Sequence, residues 1–450
     1  MERKESVTDL GEYNGESIDI SLDDFPEWDD RLLSDELVAP KKRSPGVDKP
    51  FLVITLLLLM IGLIMVLSAS FARGYHIMQD PMFLFSRQLV FAISGVAIMF
   101  VTSRISIRII SRWSMHLLLA SIGTLVLVLM IGNTVNGATR WLGIGDAENS
   151  FLTFQPSEIT KLAVVLAYAQ IACKFGSERM KMFKFGVIPF AVITGVIVIL
   201  LRFQPHLSAI IIITAITAIM MFAGGTNIRW FLIAVAILAS MVLGFLYFQL
   251  RAVPEVEIRD VVSVETIRYN IDFMSMGYEG RRIAAWLDPD ADPLGAGFQT
   301  RQSLNAVGSG GLLGLGLGQS RQKHLYLPEE HNDYIFAIVG EELGFIGAML
   351  ILMLFALLVI RGFWLALNAS DKFSTLITIG LSSLLALQVF LNVAVVVNLL
   401  PATGISLPFF SYGGTALWLQ MVQIGIILSV SREIPVADEA GERREARLPS

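Results

Sequence analysis

Asp288, Asp290 and Asp292 alternate around Pro289 and are followed by Pro293 and Gly295, with Arg281 and Arg282 just upstream. A carboxylate lodged in a cleft beside arginines is a candidate general base, because burial raises its pKa and a guanidinium lowers it. A solvated turn has the same composition. The alternation also suggests a calcium loop, but the ligand pattern and closing glutamate of such loops are absent. Next, Gly308, Gly310, Gly311, Gly314, Gly316 and Gly318 let the backbone approach a ligand closely, and successive amides there could bind an anion as a nest. The Walker spacing is missing, so this is no nucleotide loop; a re-entrant bend between helices reads the same way.

Further polar clusters border apolar blocks. Asn136, Gly137, Arg140 and Trp141 form one, and Gln155, Pro156, Ser157, Glu158 and Lys161 open the following block. Glu158 and Lys161, three apart at a helix start, can face each other in a bundle, and a structural pair fits as well as a functional one. Arg202, Gln204, Pro205 and His206 stand at another turn, where the arginine could meet a phosphate or snorkel to lipid headgroups. Leu327 to Asp333 (LPEEHND) precede a block that contains Glu341 and Glu342, two acids that are costly unless they face a bundle or a wet cavity. Pro401, Thr403, Gly404, Pro408, Ser411, Tyr412, Gly413 and Gly414 make the last cluster.

The elements that must position these residues are membrane helices. Hydrophobic residues make up 54% of the 450, charged residues 16%, and mean hydropathy is +0.65, which excludes an ordinary soluble globular chain. The apolar blocks predict spans at 51–70, 86–103, 115–132, 158–173, 186–201, 207–224, 229–249, 334–360, 374–397 and 414–430. That is an all-α polytopic membrane protein of about ten transmembrane helices, with a large extracytoplasmic loop, 250–333, between helices 7 and 8. Lys41, Lys42, Arg43 and Lys49 place the start of the first span on the cytoplasmic side. Short loops then assigned to that side carry ten basic residues and those opposite carry four, so both termini are expected in the cytoplasm and all the polar clusters on the outer face.

Residues 1–40 carry thirteen acidic and three basic side chains and read as a disordered tail, with basic residues closing it by residue 50; 431–450 is a second cytoplasmic tail. Leu22, Phe25, Trp28, Leu32 and Leu33 could form a short docking helix. No cleavable leader is expected, since the first apolar run begins near residue 51. The net charge of -5 sums an acidic tail and basic loops and says little about partners. Cys173 is alone, so neither an intrachain disulfide nor a cysteine-ligated metal is suggested, and no basic stripe points to nucleic acid.

The ordered motifs NGATRWL, QPSEITKL, QPHLS, LDPDADPLGAGFQTRQS, SGGLLGLGLGQS, LPEEHNDYIFAIVGEELGFIG and PATGISLPFFSYGG resemble the shape, elongation, division and sporulation (SEDS) family of bacteria, the FtsW, RodA and SpoVE proteins. The acidic tail and the NDYIFAIVGEELGF wording are most like the cell-division branch, FtsW. The resemblance implies a peptidoglycan glycosyltransferase that polymerises lipid II, a disaccharide-pentapeptide on an undecaprenyl diphosphate carrier. It also implies a class B penicillin-binding protein transpeptidase as partner, other division-complex membrane proteins nearby, and a place in the bacterial inner membrane at the septum.

Carried onto this chain, the family's catalytic aspartate is best matched by Asp292, with Asp288 second. Arg140, Lys161, Arg202 and Arg282 become candidates for holding diphosphate, and Glu158, Gln204, Ser303, Glu329, Asp333 and Glu342 for shaping the cleft. No cofactor is required; a divalent cation, Mg2+ or Mn2+, is an optional aid at the diphosphate. Where the family commonly has Gln-Pro-Asp, this chain has His206, which does not carry a fixed negative charge. A lipid II flippase and a non-catalytic scaffold are the rival readings.

Overall fold

The structure, a computed structural model, describes residues 46–135, 138–143, 153–234, 236, 282–283, 285–289 and 295–434. The amino-terminal tail with its docking-helix motif, most of the expected span 229–249, and residues 250–281, 284 and 290–294 of the large loop, Asp290 and Asp292 among them, lie outside the described residues.

Helices α1 (Lys49–His76), α2 (Phe83–Thr102) and α3 (Ile107–Ile131) lead to three short strands, β1 (Asn133–Val135), β2 (Ala138–Gly143) and β3 (Thr153–Phe154). Then come α4 (Pro156–Met180), α5 (Phe183–Gly186), α6 (Ile188–Phe203), α7 (Leu207–Gly224), α8 (Ala296–Gly310), α9 (Ile335–Leu367), α10 (Lys372–Val396) and α11 (Gly414–Ser431). The chain is helical, as its sequence predicts. The strands add a small antiparallel cap, with Val135 opposite Ala138 and Leu142 opposite Phe154.

Among the described residues nine helices are long and apolar enough to cross a membrane, α5 and α6 together counting as one. The expected span 229–249 begins helically at residue 228 and passes out of the described residues beyond 236. Several helices outrun their expected bounds. The third begins at Ile107 rather than 115, because Arg108 and Arg112 lie exposed on its first turns and leave the helical backbone unbroken.

Capping sets other starts. Asp48 accepts from the Phe51 amide at 2.9 Å and Asp371 from Ser374 at 3.0 Å. Arg361 also meets Asp48 at 2.6 Å, tying α9 to the start of α1.

Burial separates the bundle's centre from its rim. In α4, α10 and α11, 72% of the spanning stretch is buried, against 22% in α9. The centre therefore holds the helix that carries Glu158 and Lys161. Contact without a hydrophobic drive relies on small residues. Gly62 of α1 lies so close to the Phe409 carbonyl that a methyl group would clash, whereas Gly123 of α3 faces open space.

The turn Gln204–His206, the strand cap, residues 311–334 and residues 397–413 all gather at one end of the bundle, called here the site end.

Candidate functional site

Two charged regions occupy the site end. The first is organised by a break in α9. As one straight rod its 33 residues would run about 50 Å, well beyond a hydrocarbon core of about 30 Å. Gly344 interrupts it with φ +67°, and Phe345–Leu367 alone is long enough to span. Glu341 and Glu342 thus stand on the short arm of α9 before the break.

The glycine run fills the gap left by the break. Leu315 and Gly316 amides donate to the Glu341 and Glu342 carbonyls at 3.0 Å each, and Phe345 and Ile346 amides return to the Gly311 and Leu312 carbonyls. A side chain on Gly314 would strike the Glu342 carbonyl. This corrects the anion-nest expectation for the run: the amides of residues 314–316 are spent on backbone, and the re-entrant bend is what forms.

Around the break every carboxylate has donors. Glu341 accepts from the amides of Arg321 (2.9 Å) and Gln322 (3.3 Å) and from the Ser320 hydroxyl. Glu342 accepts from Lys323 Nζ at 3.0 Å, from Ser68 Oγ at 2.7 Å and from the Ser320 amide at 3.2 Å, and Lys323 also donates to the Gly318 carbonyl. Both glutamates and Lys323 are buried. Nearby, Arg73 of α1 grips Glu330 through two hydrogen bonds of 2.9 and 3.2 Å. Burial pushes the Glu330 pKa up, but His331, its Nδ1 3.7 Å away, and the bonds from Arg73 outweigh it and hold the carboxyl below its ordinary 4.5.

The second region is open. Arg140, on β2, donates to the Gln204 carbonyl at 3.3 Å and to the Pro205 carbonyl, while Gln204 Nε2 donates to the Leu125 carbonyl at 3.0 Å. His206 is buried, its Nε2 3.3 Å from Gln155 and its Nδ1 without a hydrogen-bond partner. Burial, then the charges of Arg140 and Lys161, keep its pKa well below 6.5, so the ring is neutral at pH 7. Lys161 pairs with Glu158 at 2.7 Å, and with Gln388, Gln420 and Gln423 they line a small cavity; the Gln388 amide oxygen is buried and unbonded.

Asp333 lies within electrostatic reach of Arg140. It is presented by a tight turn about Glu329, which adopts φ +56°, uncommon for a residue with a side chain, and whose carbonyl accepts from the Asn332 and Tyr334 amides. Asn332 also bonds the Glu329 carboxylate at 2.6 Å. Asn392 donates to both the Asp333 and Ile405 carbonyls at 2.7 Å, and Ser411 donates to the Asn332 carbonyl at 2.8 Å, stapling this turn to residues 405–411. Arg282 reaches the same place from the large loop, donating to the Ala402 carbonyl at 2.8 Å, and Ser208 donates to the Thr403 carbonyl. Burial raises the Asp333 pKa from 3.8 to about 6; Glu329 pushes the same way, and Arg282, His331 and Arg140 oppose it.

Of the residues singled out by sequence, the structure gathers Arg140, Glu158, Lys161, Gln204, His206, Arg282, Glu329 and Asp333 at the site end. Ser303 is buried in α8 and donates to the Val396 carbonyl at 2.7 Å. Arg202 lies exposed at the end of α6, and Glu342 faces Lys323 and Ser68. Asp288 is half-buried, two residues past Trp286, whose indole donates to the Asn398 carbonyl at 3.1 Å; Asp292 lies outside the described residues. Sequence reasoning gave no site role to Arg73, Lys323, Ser68, Ser320 and Gln388, and held Glu330 only as part of the LPEEHND cluster.

Among the described residues no group of three or more His, Cys, Asp or Glu side chains gathers as metal ligands. Glu329 and Asp333 share their setting with two arginines, a donor set unsuited to a resident cation.

The profile of the FtsW/RodA/SpoVE family, described as cell cycle protein, matches residues 49–435. Stage V sporulation protein E of Bacillus subtilis (strain 168) is 40% identical over 397 residues, covering 87% of this chain and 98% of that protein. A probable peptidoglycan glycosyltransferase FtsW of Geobacter sp. (strain M18) is 35% identical over 392 residues, covering 87% and 98%. Among solved structures, a chain of a peptidoglycan synthase complex, described for its coordination of polymerization and crosslinking, has a TM-score of 0.67 at 26% identity, covering 86% of this chain and 98% of that one. The Thermus thermophilus rod shape determining protein RodA has a TM-score of 0.59 at 24% identity, covering 87% and 98%, and shares the fold.

Proposed function

Since this chain belongs to the FtsW/RodA/SpoVE family of cell cycle proteins, we infer that it is a peptidoglycan glycosyltransferase that polymerises lipid II. The observation that carries this reading beyond the relatives' names is the open cluster, where cations from three separate segments, Arg140, Lys161 and Arg282, collect at one end of a membrane bundle. A polyprenyl diphosphate needs that combination: apolar grooves for its tail and fixed positive charge at the helix ends for its diphosphate.

In the reaction the acceptor sugar's 4-hydroxyl attacks the donor's anomeric carbon. The new sugar–sugar C–O bond forms as the bond from that carbon to the diphosphate oxygen breaks, with inversion. The hydroxyl proton passes to a carboxylate of the large loop, Asp292 or, second, Asp288. Support for that placement comes from the flanking residues: Arg282 and Trp286 anchor the loop to the Ala402 and Asn398 carbonyls, on the turn that also holds Asp333. The departing diphosphate leaves toward Arg140, Lys161 and Arg282. Because a diphosphate is already a good leaving group, one carboxylate suffices.

The partner in this reading is a class B penicillin-binding protein, in keeping with the synthase complex whose chain shares this fold. The site end faces away from the cytoplasm, the termini lie inside, and the protein works at the division septum of the inner membrane.

The test supplies purified protein with labelled lipid II, with and without a cognate class B protein and added Mg2+ or Mn2+. Glycan strands are expected from the wild type, and Asp292→Asn is expected to cost about 10²–10⁴-fold in rate. Movement of lipid II between vesicle leaflets without polymer would instead mark a transporter, and no turnover with any partner a scaffold.

A further inference from the structure

We propose that Asp333 takes up a proton from solvent as the diphosphate of the lipid carrier binds between Arg140 and Arg282, and gives it back when the diphosphate departs. The inference rests on the functional reading above and adds to it a positioning residue that couples carrier binding to pH.

Its basis is geometric. The Asp333 carboxylate is pressed against Gly404, where even an added methyl would come within 3.1 Å of Oδ2, and its backbone is stapled to Ile405 through Asn392. These contacts place the carboxylate beside the 401–405 turn, where a second anion would meet it. The charged and titratable groups that act on it are Glu329 and His331 of its own turn, Arg282 from the large loop and Arg140 from β2. The 401–405 turn and Asn392 bring none. A carboxylate repelled by Glu329 and drawn by two arginines is poised near neutrality, with its pKa at about 6. A diphosphate adds like charge to the same two arginines, and like charge within hydrogen-bonding range moves a carboxyl further up by about one unit or more. Protonation removes the repulsion on entry. Renewed ionisation favours release of the carrier once the sugar has been transferred.

The experiment measures the affinity of fluorescent lipid II for the full-length protein between pH 5.5 and 8, in the Asp292→Asn background so that no polymer forms. Lipid II's disubstituted diphosphate does not titrate in that range. Binding should tighten on the order of tenfold as pH falls through this window, and Asp333→Asn should bind tightly at every pH. Glu329→Gln, which keeps the carboxyl of Asp333, should move the midpoint to lower pH, and it serves if Asp333→Asn does not fold. The same pH dependence in Asp333→Asn as in its parent, or its loss in His331→Gln instead, overturns the proposal. If the wild type makes no glycan strands with any partner the functional reading itself falls, a result separable from a polymerase whose pH dependence ignores Asp333.

Discussion

Around the Gly344 break, Glu341, Glu342 and Glu330 are each met by two or more donors, and the strongest of these bonds close on Lys323 and Arg73. Across the site end, His206 keeps a buried, unbonded Nδ1, Asp333 sits at a raised pKa, and Gln388 leaves its oxygen without a donor. Both regions spend free energy to hold charge and polarity near a membrane, but only in the first does every carboxylate meet its donors, although Gln322 Oε1 there stays unbonded. Complete pairing is what a structural anchor needs, because a half-satisfied buried ion is worse than none. Incomplete pairing leaves donors and charge for a ligand to complete. The carboxylates of Glu330 and Asp333, three residues apart, fall on opposite sides of this divide.

Breaking the anchor should give the largest effect. Lys323→Met strands the Glu342 carboxylate and should cost about 3–5 kcal/mol, read as a lowered melting temperature in detergent; adding Glu342→Gln should recover part of it. Gly314→Ala comes next. At φ +81° and against the Glu342 carbonyl it should cost about 1–3 kcal/mol, again without a specific effect on lipid II binding.

The open cluster should behave in the opposite sense. The folded-state pKa of Asp333 is raised, so its stabilising contribution is full below its unfolded value near 3.8 and lost as pH rises through about 6. Asp333→Asn should therefore raise the melting temperature at pH 7–8, by the equivalent of about 1–3 kcal/mol, and give no gain near pH 4. Glu330, whose pKa is depressed, contributes above 4.5 and loses that contribution as pH falls through its lower folded value. Glu330→Gln should flatten the acid limb of the melting curve that Asp333→Asn leaves untouched. Smallest of all, Arg202→Gln at its exposed position should change stability by less than about 0.5 kcal/mol. An equally small change in lipid II affinity would mark the edge of the cluster.

The bundle was legible because apolar blocks in a hydropathic chain must be helices, and the polar motifs at their ends could be seen to share one face. Arg140, Lys161, Gln204 and Asp333 stood out for the same reason: charge and amide beside an apolar run are costly unless used. The pairing among them was not legible. Arg73 and Glu330 are 257 positions apart and Lys323 and Ser68 are 255 apart, so no spacing rule joins them. Ser68 reads in sequence as one more small residue in a span. Gly344 hides in an apolar period that looks continuous, so the break that sets Glu341 and Glu342 apart from the rest of α9 has no sequence signal. The glycine run fitted an anion nest and a re-entrant bend equally; only the Leu315 and Gly316 bonds to α9 separate them.

The division between anchor and site is tested most directly by the rate of glycan-strand synthesis per folded molecule, measured side by side for Asp292→Asn and Glu330→Gln with the class B partner present. The expected result is loss of synthesis in Asp292→Asn at an unchanged melting temperature, and in Glu330→Gln a lowered melting temperature with near-normal turnover in the fraction that remains folded. Unchanged synthesis in Asp292→Asn, or loss of turnover in fully folded Glu330→Gln, would contradict it.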